Sequence, residues 1–182
     1  MDGRNGLFVG LPAYRRKDEN GKDTYSDIVR LTEDDFKKAF QKAALDAFAT
    51  GEEFTIKTVE GKDDPDINVG VSLLNNEGKT KALARLHIEN VVDVNSVAIR
   101  EGRDGGLFVS MPSYQTSKTD DVGNPVYQNY CYAATKEFAE TLSKAVLNKY
   151  ETVQNELLST PEKSSEKPSL DSQLTEAKKN RT

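Results

Sequence analysis

The sequence repeats itself. Gly6-Leu7-Phe8-Val9-Gly10-Leu11-Pro12-Ala13-Tyr14 returns 100 residues later as Gly106-Leu107-Phe108-Val109-Ser110-Met111-Pro112-Ser113-Tyr114. Self-similarity of this kind constrains the architecture before any local structure is assigned, because each copy is expected to build the same unit. The match resumes after a loop that is two residues longer in the second copy. At an offset of 102, Tyr25 meets Tyr127, Phe36 meets Phe138, Phe40 meets Leu142, and Phe48 meets Tyr150. Each copy therefore ends in an equivalent element.

That element reads as a helix. Phe36, Phe40, Ala43 and Ala47 fall on one face at helical spacing, while Lys37, Lys38, Gln41 and Lys42 fill the other. Thr32 is expected at the N-cap, followed by Glu33, Asp34 and Asp35, whose charges suit the positive end of the helix dipole. Gly51 supplies the stop.

Ahead of the second copy's signature lies material with no counterpart in the first. Ile67, Val69, Val71 and Leu73 alternate, Asn75-Asn76-Glu77-Gly78 turns, and Ala82, Ala84, Leu86 and Ile88 alternate again before a third run from Val92 to Ile99. This pattern predicts an antiparallel meander. A strand is expected from Leu107, with Phe108 buried in it, and another around Val126 to Tyr132 after the Gly123-Asn124-Pro125 loop.

The expected fold class is α+β: an antiparallel β-meander and hairpin followed by a C-terminal helix, repeated as a pseudo-dimer whose first copy lacks the N-terminal strands. The expected divisions are a partial copy at 1–50, a polar linker at 51–65, a full copy at 66–157 and a disordered tail at 158–182. A hairpin with one helix is marginal alone, so the half module is expected to dock on the full one or to pair with another chain through sheet edges. The pseudo-dimer also predicts that Leu7 to Leu11 and Leu107 to Met111 sit in related sheets.

Charge and composition narrow the function. There are 25 basic and 30 acidic residues, a formal charge of −5, so affinity for a polyanion has to come from a local patch. Cys131 is the sole cysteine, which excludes an intramolecular disulfide and a cysteine-based zinc site, and no signal-like apolar segment follows Met1. A cytoplasmic location is expected, with no membrane partner. The densest basic cluster outside the tail is Arg15-Arg16-Lys17, with Lys22 across the loop and Tyr14 beside it. Cations on an accessible loop are what phosphate contacts require, and an adjacent aromatic ring can stack on a base. Equally, Asp18 and Glu19 would leave a merely solvated loop, and a tyrosine in that position commonly packs at a strand end.

Catalysis has no visible apparatus. His87, the only histidine, falls on the opposite face from Ala82, Ala84, Leu86 and Ile88, with no nucleophile or second histidine in a recognisable pattern. Cys131, between Tyr130 and Tyr132, reads as a buried inert thiol. No phosphate-binding loop, carboxylate pair or metal-ligand spacing occurs, so neither a cofactor nor a metal is expected.

The order of features in the second copy resembles the bacterial stage V sporulation protein G (SpoVG) family. The resemblance rests on Lys81-Ala82-Leu83-Ala84-Arg85-Leu86, then Val97-Ala98-Ile99-Arg100-Glu101-Gly102, then Gly106 to Ser113, closed by Lys144-Ala145-Val146-Leu147-Asn148-Lys149-Tyr150. It implies an α+β fold that pairs with a second copy of itself, and a DNA- or RNA-binding regulator linked to sporulation, septation and gene expression. In that family basic residues directly after the Met-Pro-Ser strand contact nucleic acid. Here the first copy keeps them as Arg15-Arg16-Lys17, whereas the second has Tyr114-Gln115. The alternative is a non-catalytic protein-interaction module that kept the fold and lost nucleic-acid binding.

Overall fold

A computed structural model describes residues 2–3, 6–53 and 65–159. Its N-terminal part comprises β1 (Asp2–Gly3), β2 (Gly6–Leu7), β3 (Ala13–Lys17), β4 (Asp23–Asp27), β5 (Val29–Leu31) and α1 (Asp34–Thr50). There follow β6 (Ile67–Leu73), β7 (Thr80–Ile88), β8 (Val92–Glu101), β9 (Leu107–Ser110), β10 (Ser113–Thr119), β11 (Pro125–Asn129) and α2 (Lys136–Ser159). The class is α+β with antiparallel sheets.

The centre is a five-stranded sheet in which β6, β7 and β8 form the expected meander. Between β7 and β8 the chain reverses without a glycine, Glu89 and Asn90 taking positive φ of 51° and 57°. The ten residues of β8 are long enough to serve two further strands on their outer edge. Glu101 to Ala98 pair with β9, and Val94 to Val92 pair with β5 from the N-terminal part. Between those stretches β8 bulges: Ala84 pairs with Val97 and Leu86 with Val94, and Ser96 in the gap has φ of 62°. An extra residue of this kind bends the strand and increases its twist. Of the two arrangements expected for the N-terminal part, docking on the rest of the chain is the one observed, and it includes a three-residue strand added to the sheet edge.

Alternation decides the two faces. Ala82, Ala84, Leu86, Val94, Val97 and Ile99 point one way, and α2 covers them with Leu142, Val146 and Tyr150, one helical turn apart. Burial of these side chains supplies the main driving force for folding. On the opposite, open face the side chains are Asn68, Gly70 and Ser72 of β6, Leu83, Arg85 and His87 of β7, and Asp93, Ala98 and Arg100 of β8.

Several expectations need correction. Phe108 is not buried: it is 47% exposed, because Val109 takes the core-facing position of β9 and Phe108, paired with Arg100, is left on the open face. Glu33, not Thr32, caps α1, its carboxylate accepting from the amides of Asp35 and Phe36. Thr32 is engaged elsewhere, its hydroxyl donating to the Asn90 carbonyl at 2.8 Å and its amide to that of Val91. Strand β11 stops at Asn129 and α2 runs to Ser159, past the expected boundary at 157. The two signature segments do not share related sheets: Leu107 to Ser110 join the five-stranded sheet, while among the described residues Gly6 and Leu7 pair with Asp2 and Gly3. Gly51 ends α1 in the left-handed conformation, φ 74°, as the sequence suggests. The expected disordered tail beyond Ser159 and most of the expected linker lie outside the described residues.

Candidate functional site

Strands β3 and β4 form a hairpin that projects over the open face. Its five-residue tip is organised by Asp18, whose carboxylate accepts from the amides of Asn20 and Lys22 at 2.9 Å each, with Gly21 at φ 76°. An aspartate that satisfies two loop amides holds a tight turn open to solvent without help from the core.

The candidate phosphate ligands are all exposed, but the pleat of β3 divides them. Arg15 forms an ion pair with Asp23 on the partner strand, and this hydrogen bond raises its already high pKa. Lys17 donates to the Gly21 carbonyl at 3.3 Å, and Lys22 sits at the far end of the tip. Arg16, with no ion pair among the described residues, turns the other way and lines a cleft beneath the hairpin. The ring of Tyr14 meets Tyr130 edge-on at 5.7 Å between centroids, and Tyr114 meets Tyr130 at 4.9 Å. Burial, then the neighbouring Tyr130 and Cys131, raises the pKa of Tyr14. These three tyrosines join the β3–β4 hairpin to the β10–β11 hairpin.

The cleft has a volume of about 630 Å³. Its roof is Arg16, Ser26 and Asp27, and its floor is the open sheet face around Gly70, Ser72, Leu83 and Arg85, with Arg30 at one end. Arg85 is held through its Nε, which donates to Asn95 Oδ1 at 2.8 Å, and Asn95 in turn donates to the Asp27 carbonyl at 3.0 Å. The hairpin and the floor are therefore hydrogen-bonded to each other.

Beside the cleft lies a charge cluster that the sequence does not announce. Asp93 is 3% exposed and receives Arg30 at 2.5 Å and His87 Nδ1 at 2.5 Å. Burial pushes the Asp93 carboxyl up, but the hydrogen bonds and charges of Arg30 and His87 outweigh it and bring the pKa below the ordinary value. Alternation alone places His87 and Asp93 on one face; the arrival of Arg30 from 63 residues away depends on the β5–β8 pairing. Cys131 is half-buried against the core and burial raises its pKa, so it is poorly disposed to form a thiolate. Among the described residues no group of three or more histidine, cysteine, aspartate or glutamate side chains could hold a metal, and no helix is long and apolar enough to cross a membrane.

A family model for SpoVG matches residues 66–152. A protein of Caldicellulosiruptor saccharolyticus designated septation protein SpoVG is 33% identical over 88 residues, covering 47% of this chain and 90% of that protein. Relatives of the same designation from Clostridium perfringens and Clostridium kluyveri are 32% and 34% identical, covering 48% of this chain in each case and 90% and 83% of those proteins. The matched span holds the meander, β9 on the edge of β8, the second hairpin and most of the helix that closes the core, and the chain belongs to the SpoVG family.

Proposed function

We propose that this chain is a non-catalytic, nucleic-acid-binding regulator that contacts phosphates through the β3–β4 hairpin. The observation that carries the reading is the exposure of Arg15, Arg16, Lys17 and Lys22 on one projecting hairpin in a chain that is otherwise acidic. Its setting is an intramolecular pseudo-dimer of one and a half SpoVG-like copies. In support, the two hairpins repeat each other in detail: Asp120 accepts from the amides of Val122 and Asn124 as Asp18 does from Asn20 and Lys22. The amides of Ile28 and Tyr130 both return at 2.9 Å to the carbonyl of a signature proline, Pro12 and Pro112. The designation of the relatives as septation proteins supports extending the reading to a role in septation, and we place that role in the cytoplasm.

Replacing Arg15, Arg16 and Lys17 together with glutamine tests it. Binding to unrelated duplex sequences should weaken alike, and the slope of log affinity against log salt should flatten by roughly 2–3 units, since each neutralised phosphate contributes about 0.9. Undetectable affinity in the unmodified protein at low salt would sink the reading and favour the protein-interaction module, for which the uncovered apolar side of α1 speaks, Phe48 being 76% exposed.

A further inference from the structure

The open face of the five-stranded sheet carries an unusual combination of side chains. Phe108, on β9, and Leu83, on β7, are 47% and 40% exposed on a surface that no helix shields at those positions. Phe108 is paired with Arg100, and Leu83 with Ala98, which is in turn paired with Ser110. The next outward-facing residue of β7 is Arg85, opposite Gly70, where the missing side chain leaves the floor of the cleft open. One aromatic ring, one aliphatic side chain and two arginines thus lie in neighbouring rows, and Arg16 of the hairpin lines the cleft together with Leu83 and Arg85.

The two floor arginines are held in a way that suits a ligand. Each is tied through its Nε, Arg85 to Asn95 Oδ1 at 2.8 Å and Arg100 to Thr80 Oγ1 at 3.4 Å. A guanidinium tethered at Nε keeps its terminal N–H donors for another acceptor and loses less side-chain freedom when that acceptor arrives. Arg30 differs, being committed to Asp93, so within the cleft Arg16 and Arg85 stand against Asp27, and Arg100 adds a positive charge in the row of Phe108. Thr80, the residue opposite Arg100, stands five positions from Arg85 on β7, which separates the two arginines by roughly 16 Å at about 3.3 Å per residue.

We propose that the open face binds single-stranded nucleic acid, with an unpaired base stacked on Phe108 and the backbone running past Arg100 and Arg85 into the cleft under Arg16. This rests on the nucleic-acid reading above and deepens it. A paired base presents only its edges, so a ring on a sheet floor can stack on a base only when the strand is single. The cleft volume of about 630 Å³ falls in the range of ligand pockets. An aromatic ring beside arginines on a helix-free sheet face is the arrangement that sequence-tolerant stacking requires.

Fluorescence anisotropy at low salt with the full chain tests it, using labelled mixed-sequence DNA and RNA strands of about 12 nucleotides, within the site sizes of single-strand binders, and the matching duplexes. Single strands of one or both sugars should bind more tightly than duplex. Phe108→Leu, which keeps an apolar side chain, should weaken single-strand binding by roughly 5- to 100-fold, as loss of a stacking ring does, while Phe108→Tyr should restore it. Arg85→Gln with Arg100→Gln should flatten the salt slope on single strands by about 1.4, at roughly 0.7 per contact. Thermal melts of each variant check that the fold survives. If single strands bind but Phe108→Leu and the double arginine change both stay within twofold of the unmodified protein, the open face is not the site, although the hairpin reading stands. The open face is likewise excluded if duplex binds more tightly and only the Arg15, Arg16 and Lys17 changes weaken it. If no oligonucleotide binds, both readings fall.

Discussion

Asp93 sits between Val92 and Val94 on the central strand, where a buried carboxylate would be unfavourable without Arg30 and His87. Arg30→Ala should therefore destabilise the fold by about 1–3 kcal/mol, the range for stranding a buried polar partner, kept modest because the Arg30 side chain is itself half exposed. Chemical denaturation measures this. The same residue sets a pH dependence. Its folded pKa lies below the 3.8 of an ordinary aspartate, so the stabilisation is complete above that value and is lost as pH falls through the lower folded pKa. Melting temperature followed from about pH 5 downward should fall more steeply for the unmodified protein than for Asp93→Asn, whose stability lacks that proton-linked component. Parallel curves would show that Asp93 contributes nothing to the acid limb. His87 was legible as an outward-facing histidine; its carboxylate partner was not, because nothing local marks the register that brings Asp93 opposite it.

At the scale of elements, α1 and α2 contrast although their sequences align. In α2, Leu142, Val146 and Tyr150 are buried, Tyr150 being only 6% exposed; in α1 the aligned Phe40 is half-buried and Phe48 is largely in water. Helical periodicity identified both helices but could not say how much of each apolar side would be covered, since coverage depends on a sheet lying opposite. Leu142→Ala should cost about 2–5 kcal/mol, as deletion of a buried leucine does. Phe48→Ala should change stability by less than about 0.5 kcal/mol, as an exposed site does. Equal losses in the two variants would mean that α1 is packed as firmly as α2. Hydrogen exchange should rank the helices in the same order, with α1 amides exchanging faster than those around Val146, because local opening requires fewer buried contacts to break.

Across the whole molecule, the N-terminal part is held by the pairing of β5 with β8, by the amide of Asn95 donating to the Ile28 carbonyl at 2.7 Å, and by the tyrosine contacts between hairpins. Ile28 is fully buried next to this junction, so Ile28→Ala should lose about 2–5 kcal/mol and shift the unfolding of the entire chain. A melt in which only part of the helical signal moves would show instead that the two parts unfold separately. The class, the meander, both hairpins and both helices were legible from local patterns, because they follow from periods of about 2 and 3.6 residues and from turn residues that act within a few positions. The sequence also singled out the basic hairpin, since charge density is a local property. Long-range packing was needed for β8 to serve two strands on one edge, for Arg30 to reach Asp93, and for Phe108 to face outward beside Arg100. Those outcomes turn on register between segments far apart in the chain, and a shift of one residue in a strand exchanges its core and solvent faces.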